Sequence, residues 1–76
     1  MTRPLNRIKE VLEENKLTQV QLSELIGKSF ETVNAYCSNR RQPSLEVLFL
    51  IGRILNCSAK DLLIDENILN QHINGN

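Results

Sequence analysis

Tryptophan is absent from this chain, and its aromatic complement is one tyrosine and two phenylalanines. A core must therefore be assembled from leucine, isoleucine and valine. With 76 residues there is room for one domain, close to the lower size at which a core forms unaided. The two cysteines, Cys37 and Cys57, are too few for a disulfide framework and stand at no metal-ligand spacing. They are expected to be small buried apolar residues in a reducing compartment. No run approaches the roughly 18 apolar residues of a membrane span. No secretory signal pattern is legible at the start, so a cytoplasmic location is expected. Paired carboxylates, a Cys/His arrangement and a phosphate-binding glycine loop are all missing, which argues against an enzyme, a cofactor or a metal centre. His72 stands alone near the end and is not expected to act as a ligand.

An excess of charge is lacking too. Nine basic residues meet nine acidic ones, a balance that does little to attract nucleic acid. The distribution is uneven, however. Residues 1–43 carry Arg3, Arg7, Lys9, Lys16, Lys28, Arg40 and Arg41 against Glu10, Glu13, Glu14, Glu24 and Glu31. From Ser44 onward Arg53 and Lys60 face Glu46, Asp61, Asp65 and Glu66, so the acidic surplus lies in the second part.

What is present is a dense set of helix signals between Thr18 and Arg41. Thr18 is a good N-cap, and Gln21 stands where a capping box wants Glu or Gln. Leu22, Leu25 and Ile26 follow at helical spacing as an expected core face, and Gly27 stops the helix in the left-handed C′ conformation. Ser29 can cap a second helix at once, with Val33, Tyr36 and Cys37 on its buried side. Ser23 is small where the two helices would press closest. Helix, glycine turn, helix is the helix-turn-helix pattern, whose second helix enters a DNA major groove.

The remainder of the chain supplies a frame. Pro4 is expected near the first position of an initial helix, with Leu5, Ile8, Val11 and Leu12 at helical spacing as far as Asn15. Helices are predicted over residues 18–26, 29–38 and 44–55, with Asn39 as a left-handed cap and Ser44 as the N-cap of the fourth. Ser58 with Asp61 three residues later announces a brief fifth helix through Leu63. Ile64, Ile68, Leu69 and Ile73 fall on one stripe of a short sixth helix from near Asp65, which would need a surface to dock against. No strand pattern or repeat is visible. The expected fold is all-α, with a domain over residues 1–63 and a tail over 64–76.

These residues resemble the phage repressor and Cro-type (XRE) helix-turn-helix family. The resemblance rests on LTQVQLSELIGKS, the TV…Y pattern of the next helix, and RRQPSLEVLFLIGRILNCSAKDLL with its Pro43-Ser44-Leu45 turn. It spans about residues 5–63 and implies a five-helix, sequence-specific regulator of repressor type that binds double-stranded DNA. By position, Phe30, Glu31, Asn34 and Ala35 are the expected base-facing residues. Asn34 suits adenine N6/N7, Glu31 suits cytosine N4, and Phe30 offers apolar contact, for example to a thymine methyl. Glu31 equally suits the helix dipole, and it repels phosphate. Gln19, Lys28, Ser29, Asn39, Arg40 and Arg41 are the expected phosphate contacts, joined from the arm by Arg3 and Arg7. Gln19 resembles the glutamine that bridges the DNA backbone and the recognition helix.

Two departures from the family pattern stand out. Relatives often carry arginine at the Leu12 place and glutamate at the Cys37 place; two apolar residues here predict that Leu12 and Cys37 touch in place of a buried ion pair. The predicted fourth helix also has surplus hydrophobicity. Leu45, Leu48, Ile51 and Leu55 form its expected core face, while Val47, Leu50 and Ile54 make a second stripe. Such a stripe wants a partner, either the tail stripe Ile64, Ile68, Leu69 and Ile73 or a second subunit; a homodimer through the fourth and fifth helices and the tail, with Ile68, is the expectation. No sensor domain or small-molecule ligand is expected. The alternative reading is a protein-interaction module or antitoxin-like component that keeps the fold with weak or no DNA binding.

Overall fold

The computed structural model describes residues 4–64. Four α-helices follow one another: α1 (Ile8–Glu14), α2 (Gln19–Ile26), α3 (Phe30–Cys37) and α4 (Leu45–Ile54), then a 3₁₀ turn over Ala59–Leu62. Each of the later elements starts on a hydroxyl. The side chains of Thr18, Ser29, Ser44 and Ser58 accept the backbone N–H three residues on, and Thr18 and Ser58 close full capping boxes with Gln21 and Asp61. The helix starts expected from these residues are the ones found.

The helix ends share one device. Lys16, Gly27, Asn39 and Asn56 all lie at positive φ, between 56° and 68°. In each case the next residue's N–H reaches the carbonyl five positions back. The pairs are Leu17 to Leu12, Lys28 to Ser23, Arg40 to Ala35 and Cys57 to Gly52, at 2.8–3.0 Å. This is the long bond of the Schellman motif. Only one of the four ends uses glycine; Gly27 and Asn39 were expected in this role, Lys16 and Asn56 were not.

α1 begins later than expected. Pro4 is not its first residue, because residues 4–7 are not helical and the backbone N–H groups of Leu5, Asn6 and Arg7 are already taken. Leu5 and Asn6 donate their N–H groups to Asn39 Oδ1, at 2.9 and 3.0 Å. The Leu5 carbonyl accepts from Ile64 N at 2.9 Å, and Arg7 N donates to Leu62 O at 2.9 Å, flanking an antiparallel bridge between Asn6 and Leu63. Both ends of the domain are thereby tied together. Asn6 Oδ1 accepts from Ile8 N at 3.0 Å and so caps the helix that Arg7 leaves uncapped.

A single core joins Ile8, Val11, Leu12, Leu22, Val33, Tyr36, Cys37, Leu48, Ile51, Leu55 and Leu62. Leu12 and Cys37 share it, where α1 packs on α3. Two expected core residues do not. Leu25 is 56 % and Leu45 66 % exposed. At 100° per residue Leu22, Ser23 and Ile26 define the inner face of α2, and Leu25 falls to one side of it. On α4 the inner face is Leu48, Ile51, Gly52 and Leu55, all buried. Val47 and Ile54, expected to form a free stripe, lie on one flank and pack partly against the core. Leu45 and Phe49 lie on the other flank, where Phe49 is 55 % exposed.

The expected fifth α-helix is a 3₁₀ turn of four residues. It is confined between the Ser58 cap and Leu63, which pairs with Asn6, and within it Leu62 is driven completely into the core. Gly52 lets this turn approach α4. A Cβ there would sit 2.8 Å from the Cys57 carbonyl oxygen, inside any tolerable contact. The sixth helix expected from near Asp65 lies outside the described residues.

Burial pushes the Cys37 thiol up to about 11 from 9.0, with nearby Lys9 opposing the shift and Glu10 adding to it. Between these values an unfolded chain has lost the proton that the folded chain keeps. Stability must therefore fall as pH rises from 9 to about 11, by about 1.4 kcal/mol per pH unit at most from this group. We expect the stability difference between the native chain and Cys37→Ala, measured by urea unfolding, to shrink across that window. A difference constant with pH would contradict the assignment. At neutral pH both thiols stay protonated, Cys57 also being raised by burial and then by Asp61.

Candidate nucleic-acid interface

α3 buries Val33, Tyr36 and Cys37 and turns Phe30, Glu31, Asn34, Ala35 and Ser38 the other way. These positions repeat at helical spacing, so the four residues expected to face bases do share one side of the helix. Phe30 and Glu31 are exposed in its first turn, Phe30 by 45 %; Asn34 and Ala35 are half-buried one turn later.

The polar residues around this face are not equivalent. Gln19, the first residue of α2, accepts a hydrogen bond through Oε1 from Asn34 Nδ2 at 3.0 Å. Arg40 donates from Nη2 to Asn34 Oδ1 at 2.9 Å and from Nε to Ser38 Oγ at 2.9 Å. Gln19, Asn34, Arg40 and Ser38 thus form one chain of hydrogen bonds across the two helices. Lys28, in the turn before α3, and Arg41, in the loop after it, are exposed, and neither makes a side-chain hydrogen bond or ion pair among the described residues. Ser29 is exposed, and its hydroxyl is occupied as the α3 cap, 3.1 Å from Thr32 N and 2.9 Å from Thr32 Oγ1. Arg7 pairs loosely with Glu14 at 3.6 Å. Arg3 lies outside the described residues.

Asn39, half-buried at the end of α3, is tied into the protein by its side chain. Its Oδ1 accepts from Leu5 N, Asn6 N and Gln42 Nε2, and its Nδ2 donates to Asn6 O at 3.0 Å. The carbonyl oxygen and one N–H of the amide are thus engaged inside the protein. Asn6, only 2 % exposed, completes the cluster by donating from Nδ2 to Tyr36 O at 3.0 Å and to Gln42 Oε1 at 2.7 Å. This Asn6–Asn39–Gln42 cluster fixes the chain as it leaves α3 and so sets where Arg40 and Arg41 emerge. Sequence reasoning missed Asn6 and Gln42. The available signal was an Asx residue just before an apolar helical stripe, a position that favours hydrogen bonding to the N–H two residues on.

Of the residues expected at a dimer interface, Val47, Leu50 and Ile54 are half-buried, and Ile68 lies outside the described residues. The exposed apolar residues of α4 are Leu45 and Phe49. Val20 and Leu25 are exposed on α2, by 52 % and 56 %. Among the described residues no helix is long and apolar enough to cross a membrane.

The arrangement of two short helices about a glycine turn, with a polar outer face on the second, is that of a helix-turn-helix domain. The helix-turn-helix family model matches residues 8–62, and the chain belongs to this family in its repressor/Cro (XRE) form. It is similar to a solved structure described as "a putative DNA-binding protein from Bacteroides fragilis". The two are 43 % identical with a TM-score of 0.78, over 79 % of this chain and 97 % of that one. No curated protein matches the chain.

Proposed function

We propose that this protein is a cytoplasmic regulator, of repressor type, that binds double-stranded DNA as a homodimer with α3 in the major groove. The observation that carries the reading is the outer face of α3, where Asn34 is held between Gln19 and Arg40, with exposed Lys28 and Arg41 in the segments that precede and follow the helix. Asn34 reads a base edge, while Phe30 and Ala35 offer apolar contact. Lys28, Arg41, the remaining N–H groups of Arg40, and Gln19 hold phosphates, which set register without specifying sequence. Asn39 acts from within by holding the loop that presents the two arginines. The Bacteroides relative, named for DNA binding, supports the same reading.

Salt dependence tests it. Binding to mixed duplex DNA, followed by fluorescence anisotropy, is expected to weaken steeply with salt, and Lys28→Ala with Arg41→Ala to make the log–log slope shallower by about 2. Binding that is undetectable at low salt would instead favour a protein-interaction module. That second reading draws on the exposed Phe30, Val20 and Leu25 and on the exposed acidic Glu31.

A further inference from the structure

We propose that Arg40 is a specificity-determining positioning residue, which locks the amide of Asn34, and through it that of Gln19, in one orientation. The inference rests on the DNA-binding reading above and deepens it. A carboxamide is nearly symmetric in shape, and a half-turn about its last bond exchanges a donor for an acceptor. Gln19 and Asn34 alone could pair in either sense, because each can turn with the other. Arg40 removes that freedom. A guanidinium has five donors and no acceptor. The group that faces its Nη2 at 2.9 Å must therefore be Asn34 Oδ1, which puts Nδ2 toward Gln19 and obliges Gln19 to present Oε1 to it at 3.0 Å.

Two consequences follow at the DNA. Asn34 keeps one free N–H and one oxygen lone pair in a fixed order, the pattern that matches adenine N7 and N6. Gln19 turns its own NH₂ group away from Asn34 and can donate it to a phosphate oxygen. Arg40 is itself held in place. Its Nε donates to Ser38 Oγ at 2.9 Å, and its backbone N–H donates to the Ala35 carbonyl at 3.0 Å, where the chain reverses at left-handed Asn39. The guanidinium is thus directed back over α3 by the fold.

Binding-site selection with the full chain and three variants separates this role from simple charge. Arg41→Ala is expected to weaken binding evenly across sequences and leave the preferred site unchanged. Arg40→Gln, whose own amide can turn, is expected to relax the preference at one base pair by about tenfold. Arg40→Lys, again a donor without an acceptor, should restore that preference in part. A uniform loss in Arg40→Gln, matching Arg41→Ala, would overturn the proposal. A measurement without DNA keeps it testable if binding fails. In ¹⁵N NMR spectra the side-chain NH₂ signal of Asn34 is expected to move toward the free-amide position in Arg40→Gln and that of Gln19 away from it, with neither moving in Arg41→Gln. If they stay in place, the lock is absent whatever the DNA result.

Discussion

Asn39→Ala should remove on the order of 3 kcal/mol of stability, a large share of the ~4–11 kcal/mol usual for a chain of this size. Three terms add. Asn39 lies at φ 62°, a conformation that costs alanine about 1 kcal/mol or more. Its Oδ1 receives three donors, the N–H groups of Leu5 and Asn6 and the Gln42 amide. Asn6 is buried, so its N–H would be left without a partner, at about 1–3 kcal/mol. Urea unfolding at neutral pH measures the total, and Asn39→Gly separates its parts. Glycine takes the left-handed conformation freely, so this variant isolates the lost hydrogen bonds and should be less damaged than the alanine variant by about 1 kcal/mol. An alanine variant within about 0.5 kcal/mol of the native chain would mean that the cluster contributes little. Because Asn39 sets the path of residues 40–42, the same variants should also loosen Arg40 from Asn34.

What was legible in the sequence follows from how local each signal is. Thr18, Ser29, Ser44 and Ser58 act on backbone groups three residues away, so their caps could be read directly and were found where expected. Gly27 and Asn39 are the residue types that tolerate positive φ, and both were expected to do so. Lys16 adopts the same conformation without any such preference, under the demand of the turn between α1 and α2. The Asn6–Asn39–Gln42 cluster joins positions more than 30 apart and has no periodic signature. The same distance problem displaced the start of α1, since only the partners of residues 5–7 reveal that they are held outside the helix. Face assignment failed at Leu25 and Leu45 because periodicity orders residues around a helix but does not say how far the neighbours reach. The candidate interface was readable as a set of positions on α3. The bond from Arg40 back to Asn34 depends on the reversal at Asn39 and was not.

On the proposed homodimer, with Leu45 and Phe49 of α4 placed at its two-fold axis, Phe49→Glu is expected to leave a monomer and to weaken binding to a two-half-site operator by a hundredfold or more, since the second half-site contact would no longer be intramolecular. Leu45 and Phe49 are one turn apart on α4 and are the large apolar side chains that this helix leaves exposed. On a two-fold interface each patch meets its own copy, so one substitution places two like charges across the axis. The folded monomer should tolerate the change. Phe49 is more than half exposed, and a glutamate there would stand one turn before Arg53, a favourable helical pair. Stability of the monomer is therefore expected to change by no more than about 0.5 kcal/mol. Sedimentation of the native chain should give twice the chain mass, and that of Phe49→Glu the single mass. Affinity for an isolated half-site should be unchanged, because α3 and its flanking basic residues are intact. Two recognition helices must stand about 34 Å apart to read successive turns of the duplex, so the dimer geometry also sets half-site spacing. A native chain that sediments as a monomer at high micromolar concentration, with operator binding indifferent to Phe49→Glu, would remove α4 from the interface and leave the domain binding one half-site at a time.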